Sequence, residues 1–303
     1  MRVLPIFILF LYISLPAFSQ DNLLKNMQGL SQNGNQIYEI SGYTITVVKN
    51  KAKFKEKDIN KLKKKYGLKN ITSEYSDETL GCENLVIEGT TIIEKDYPNV
   101  KAHQLCYILP YNEKELMVIL FQTTGQRNDQ LEQEFLKSYF DKELSQYVTD
   151  TNNWTAGRID FVGRTIELGP ACHWMSPHNV QCSGLGQMSW STFDTLEDAQ
   201  LNNNTYLSKR ELEGGHFKVV SENDVNIEFE GIPTMAKRMV YKIKAPKFLI
   251  GGRNILITYY VVQKVRNTFV SCVLSHYANE EDDYELAPLL KEVMSISNNN
   301  TEQ

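Results

Sequence analysis

The chain has 303 residues, 42% of them hydrophobic and 23% charged, with a formal net charge of −5. That length suits two domains at about 100–200 residues each, and that hydrophobic content suits a packed core. The acidic balance speaks against general nucleic-acid binding, and an odd cysteine count (five) leaves at least one sulfur outside any intrachain pairing.

Residues 1–19 read as a secretory signal. Arg2 supplies the charge, Val3 to Ile13 the apolar core, and Ala17-Phe18-Ser19 the small-x-small cleavage pattern. The core is shorter than the about 20 apolar residues of a membrane span, and no later run reaches that length. The expectation is an exported chain, periplasmic or extracellular, with no transmembrane segment and in a compartment where disulfides form.

A first domain is expected over 20–149. Gln20 to Asn35 is polar, either a short helix or a loose arm, and Ile37 to Val48 alternates as a strand does. Lys49, Lys51, Lys53, Lys55 and Lys57 also alternate, which puts them on one side if that segment is extended. A helix follows, with Ile59, Leu62 and Tyr66 on one face and Gly67 as its stop. Leu85 to Lys95, Lys101 to Leu109 and Leu116 to Gln122 read as strands. Asp129 to Glu132 reads as a capping box opening a helix with Leu131, Phe135, Leu136, Tyr139, Phe140 and Leu144 on one stripe.

Residues 150–157 read as a polar linker and 158–297 as a second domain, with 298–303 a frayed tail. Arg158 to Leu168 is expected as one strand, and 172–190 as an inserted loop. A helix should open at Asp194 to Glu197. Strands are expected at Phe217 to Val220, Val225 to Phe229, Met235 to Ile243, Ile255 to Val262 and Thr268 to Tyr277, then a helix over Leu286 to Ile296. The run Glu280 to Asp283 supplies favourable charge at that helix's N-terminus. Ile40 to Ile45 echoes Phe161 to Ile166, and Glu113 to Phe140 lines up with Val265 to Met294, so the second half reads as a copy of the first. The fold class is therefore α+β, with two tandem domains that are each an antiparallel sheet flanked by helices. This order of strand, helix, meander and closing helix resembles the PsbP-like sandwich over Ile37 to Tyr147 and Arg158 to Ile296. The resemblance implies a binding or scaffolding role and assigns no residues.

Chemistry concentrates in 172–190. Cys172 and Cys182 lie ten apart with Pro177 and Asn179 between them, which in an exported chain reads as a local disulfide. Trp174, His178 and Trp190 are candidate binding residues on the pinned loop, Trp being favoured at interfaces. Lys53, Lys55 and Lys57 are a second candidate surface, for an acidic, glycan or lipid partner. No catalytic residue, metal or cofactor is assigned. The reading is a non-catalytic exported protein acting by binding or scaffolding, with an unknown protein, glycan or lipid as partner. The alternative is a metal or thiol-redox protein, or a hydrolytic enzyme, centred on Cys172, His173, His178 and Cys182, since thiolates and imidazoles serve zinc, copper and nucleophilic catalysis alike.

Overall fold

The computed structural model describes residues 23–94, 97–150, 154–212, 217–244 and 253–297. The segment read as a signal (1–19), the tail 298–303 and the pairs Gly214-Gly215 and Gly251-Gly252 lie outside them.

The first half contains β1 (Gln28–Gln32), β2 (Asn35–Ile40), β3 (Tyr43–Lys51), α1 (Glu56–Lys65), β4 (Asn70–Tyr75), β5 (Leu85–Glu94), β6 (Tyr97–Asn112), β7 (Glu115–Thr123), α2 (Asp129–Phe140) and β8 (Val148–Asp150). Its eight strands form one sheet in the order β4-β5-β6-β7-β3-β2-β1-β8, antiparallel except for the β1–β8 pair. The second half contains β9 (Arg158–Phe161), β10 (Arg164–Glu167), β11 (Cys172–Ser176), β12 (Asn179–Cys182), β13 (Gly186–Phe193), α3 (Leu196–Leu212), β14 (Phe217–Phe229), β15 (Ile232–Ile243), β16 (Ile255–Val265), β17 (Thr268–Ala278), α4 (Pro288–Lys291) and β18 (Met294–Ile296). Its main sheet runs β11-β12-β13-β17-β16-β15-β14-β18, and β9 and β10 form a separate hairpin. The molecule is thus mostly β, built on two eight-stranded sheets.

The central strands are apolar on both sides because both faces are covered. On β6, Leu105, Tyr107 and Leu109 face a core shared with Leu131, Phe135 and Leu136 of α2. Cys106 and Ile108 of the same strand face the opposite core, shared with Ile59 and Leu62 of α1. In the second sheet Ile257, Tyr259 and Val261 of β16 pack on the β9–β10 hairpin (Ile159, Phe161, Ile166) and on Leu289 and Leu290 of α4. Leu256 and Tyr260 turn to the other face, where Leu207 of α3 packs. Two-sided burial erases the alternation of a half-exposed strand and leaves near-continuous apolar runs. Helical cover is thin, however: α1 has 10 residues and α4 has 4.

The sheet orders revise the expected correspondence of the two halves. The series β4-β5-β6-β7-β3-β2-β1 and β14-β15-β16-β17-β13-β12-β11 match position by position. Residues 172–190 are therefore not an inserted loop; they are three strands standing where β1–β3 stand in the first half. The added piece is the β9–β10 hairpin, which turns where Val162 and Gly163 both take positive φ, so Arg158 to Leu168 is two strands rather than one.

Other expectations change for local reasons. The α2 cap is Asn128, whose side chain accepts from the Leu131 N–H, one residue before the expected box. Thr195 and Asp198 cap α3 reciprocally, one residue after the expected start. The closing helix stops at Lys291 because Met294–Ile296 satisfy the otherwise open edge of β14 as β18. The acidic run is consequently not in a first helical turn. Instead the buried guanidinium of Arg238 donates to the carbonyls of Glu281 and Asp283. The described end of the segment read as linker is packed: Ala156 is buried, its N–H donates to Cys172 O, and Thr155 bridges to His173. The lysine alternation does not make one extended face, since β3 ends at Lys51 and Lys57 lies in α1.

The two halves meet where the β2–β3 turn reaches β13. Gly42 has φ +74°, and a Cβ there would lie 2.4 Å from Phe193 Cε1. Gly34 has a similar φ of +76° with open space around it. Gly34→Ala should therefore cost only left-handed strain, about 1–2 kcal/mol. Gly42→Ala should cost a further ~1–3 kcal/mol from overpacking. Urea denaturation of both variants tests this, and equal losses would show that the seam does not depend on that contact.

Candidate functional site

The Cys172–Cys182 disulfide is present, joining directly opposed residues of β11 and β12 with Cα atoms 3.9 Å apart. Cys82, Cys106 and Cys272 are free; Cys106 and Cys272 are buried and Cys82 is exposed. Strand alternation sends Cys172 and Trp174 inward and His173 and Met175 outward. The four residues Cys172, His173, His178 and Cys182 therefore form no shared ligand set: both sulfurs are bonded to each other and His173 points away from them.

Trp174 and Trp190 are not exposed anchors. Both belong to the core of the second half, at 6% and 2% exposure. Trp190 stacks edge-on against Phe161, with ring centroids 5.6 Å apart, and lies 5.1 Å from the His178 ring. Lys53, Lys55 and Lys57 are exposed near the start of α1, at the opposite end of that helix from Tyr66. Lysines further along have partners in the chain: Lys61 with Asp58, and Lys63 with Glu74.

The structure instead draws polar groups together between the two sheets. A cleft of about 550 Å³ lies there. The first half contributes Glu39, Gln104, Gln122 and Thr123 from its sheet and Tyr66 beyond α1. The second contributes Ser176, His178 and Asn179 from the β11–β12 hairpin, Ser189 to Ser191 from β13, and Asn202 and Tyr206 from α3. The disulfide thus pins the hairpin that forms one wall.

Glu39 ties the walls together. Its Oε2 accepts from the His178 backbone N–H at 2.9 Å and lies 3.5 Å from His178 Nδ1. Ser176 donates its hydroxyl to the same carboxyl. Burial pushes the Glu39 carboxyl up to about 7, opposed by these hydrogen bonds, and pushes His178 down to about 3. Tyr206 bonds to Ser189, and burial and the Glu39 charge both raise its hydroxyl. The carboxyl sits between serine and histidine, whereas acyl-transfer triads place the imidazole between hydroxyl and carboxylate. The arrangement is not a hydrolytic triad.

Two residues of the lining, Gln104 and Asn202, carry amide oxygens that are buried with no hydrogen-bond partner among the described residues. Buried atoms of the same kind lie outside the cleft, among them Thr258 Oγ1 and His276 Nε2, so they do not single it out. None of Glu39, Gln104, Asn202 and Tyr206 stands in a sequence motif. Gln104 shares its strand with Asn99, Lys101 and His103, so its polarity is no signal either.

No known protein family matches the chain, and no curated protein matches it. Among solved structures it is similar to the apo immunity protein TplEi of the T6SS from Pseudomonas aeruginosa (8% identity, 79% of this chain and 86% of that one, TM-score 0.22). It is also similar to the di-domain ARO/CYC StfQ from the steffimycin biosynthetic pathway (11% identity, 84% and 74%, TM-score 0.16). At these TM-scores the likenesses define neither fold nor activity.

Two outcomes follow from the geometry. Trp190→Ala should lose ~3–5 kcal/mol in chemical denaturation, as a buried indole does; an unchanged midpoint would return the ring to the surface. The second concerns pH. Glu39, raised from 4.5 to about 7, contributes stability at low pH that is lost as pH rises through that range. His178, lowered from 6.5 to about 3, contributes stability that is lost as pH falls through its own range. The slopes oppose each other between 4.5 and 6.5. Wild-type stability should therefore be flat there, while Glu39→Gln should weaken steadily as pH falls below 6.5. Superimposable urea-midpoint profiles for the two proteins would contradict the buried state of the carboxyl.

Proposed function

We propose that this is an exported, non-catalytic binding protein that holds a small polar ligand between its two β-sheets. The observation that carries the reading is the cleft itself, lined by polar side chains from both halves around the half-buried Glu39 carboxyl. The volume, about 550 Å³, is in the range of small-molecule sites. The pinned hairpin supports the reading by holding Ser176, His178 and Asn179 in place as a wall. Export is consistent with the disulfide and with the signal-like start of the chain. Among the described residues no helix is long and apolar enough to cross a membrane. A PsbP-like architecture, if shared, would agree with a binding role.

The test is a thermal-shift screen of small polar metabolites against the wild type and the cleft-filling variant Thr44→Trp, Thr44 being a half-buried residue of the lining. Ligand at a hundred times its Kd should stabilise the wild type by about 2.7 kcal/mol. The variant should lose that response. An equal response in both proteins would place binding outside the cleft and remove the basis of the reading.

A further inference from the structure

Charge is distributed unevenly over the chain, and the cleft does not use the excess. Residues 49–69 hold ten lysines against Glu56 and Asp58, a local balance of +8. The whole chain stands at −5, so the remaining residues together carry −13. Among the described residues lining the cleft there is no lysine. The surplus gathers on one face. At about 3.6 residues per turn, Lys57, Lys61 and Lys64 form an exposed stripe along α1, opposite Ile59, Leu62 and Tyr66, which pack on the first sheet. Exposed Lys53 and Lys55 lead into the stripe, because Ala52 and Phe54 between and before them turn towards the same core.

Little within the molecule neutralises these charges. Among the described residues, no carboxylate lies within ion-pairing distance of Lys53, Lys55, Lys57 or Lys64. Asp58 holds the Lys53 N–H and the Lys61 ammonium, yet the Lys61 side chain stays 67% exposed. Like charges four residues apart weaken a helix, so the stripe does not serve the stability of α1. Solubility alone would be met by mixed signs.

The chemistry of the face selects its partner. It has no arginine, so it lacks the forked donors that read single phosphates or carboxylates. The stripe carries no aromatic ring, and lysine is depleted where protein partners bury each other. What remains is a row of hydrated point charges on an amphipathic helix, the arrangement that responds to the field of an anionic bilayer. The same field repels the acidic remainder of the chain, so attraction and repulsion together turn α1 towards the surface. We propose that this face docks the protein reversibly on an anionic phospholipid surface, with Lys53, Lys55, Lys57, Lys61 and Lys64 at the headgroups. The contact is electrostatic, since the stripe has no apolar side chain to insert, and it is independent of the cleft.

Co-sedimentation of the intact protein with vesicles tests this. At low salt it should bind vesicles of phosphatidylglycerol and phosphatidylcholine in equal parts, and not vesicles of phosphatidylcholine alone. Salt at about 1 M, where the screening length is about 3 Å, should release it. A lysine near an anionic leaflet contributes about fivefold to binding, so Lys57→Gln/Lys61→Gln/Lys64→Gln should weaken it by about a hundredfold. Glutamine keeps the helix propensity of lysine, and the melting curve verifies folding. Lys137→Gln/Lys218→Gln/Lys242→Gln removes the same charge from exposed positions elsewhere and should bind as the wild type does. Thr44→Trp should also bind vesicles normally, which separates this surface from the cleft. No binding to the mixed vesicles, equal binding to both kinds, persistence at high salt, or equal losses in the two lysine variants would each overturn the proposal. So would retention on dextran sulfate without vesicle binding, which would make the partner a soluble polyanion.

Discussion

A carboxylate withdrawn from water must find donors, and Glu39 finds them on the other sheet. The His178 N–H and the Ser176 hydroxyl both belong to the β11–β12 hairpin, while Glu39 belongs to β2. This bridge, with the close approach of Gly42 to Phe193, places the edges of the two halves in register. Everything functional in the cleft depends on that placement. Gln104 and Asn202 lie on different halves, and only the seam makes them walls of one space.

Sheet packing explains why the seam can be polar. Each sheet spends its apolar residues on its own two faces, so the half-to-half contact is not asked to supply a hydrophobic core. The exception is Leu30 of β1, which joins the core of the second half. The β9–β10 hairpin covers the second sheet where the four-residue α4 leaves it open, and Phe161 from that hairpin packs on Trp190. Arg238 closes the same side by holding the acidic loop through main-chain carbonyls, with the Tyr284 ring 4.4 Å from its guanidinium carbon. The second half therefore buries with a hairpin and a strapped loop what the first buries with α2.

Much of the secondary structure was legible. The two-sided strands β6, β7, β16 and β17 stand out as apolar runs, α2 shows its stripe, and Cys172 and Cys182 pair as their spacing implies. Residues 172–190 read as a loop because glycines and polar turn residues alternate with aromatics there. Only the sheet order shows three strands there. The closing helix was overextended for a related reason: Leu286, Leu289, Leu290 and Val293 fit a helical stripe, yet an open strand edge captures Met294 to Ile296.

The sequence by itself determined which residues seek burial and which two cysteines meet, because local periodicity and short loop closure need no partner from afar. It did not disclose the candidate site. Glu39, Gln104, His178, Asn202 and Tyr206 are spread over some 170 residues, and each is ordinary in its own neighbourhood. They come together only where the two sheets meet around the cleft. Burial at that seam raises the Glu39 carboxyl and holds the His178 imidazole neutral. Desolvation is a property of the assembled seam, so only the tertiary structure could decide it.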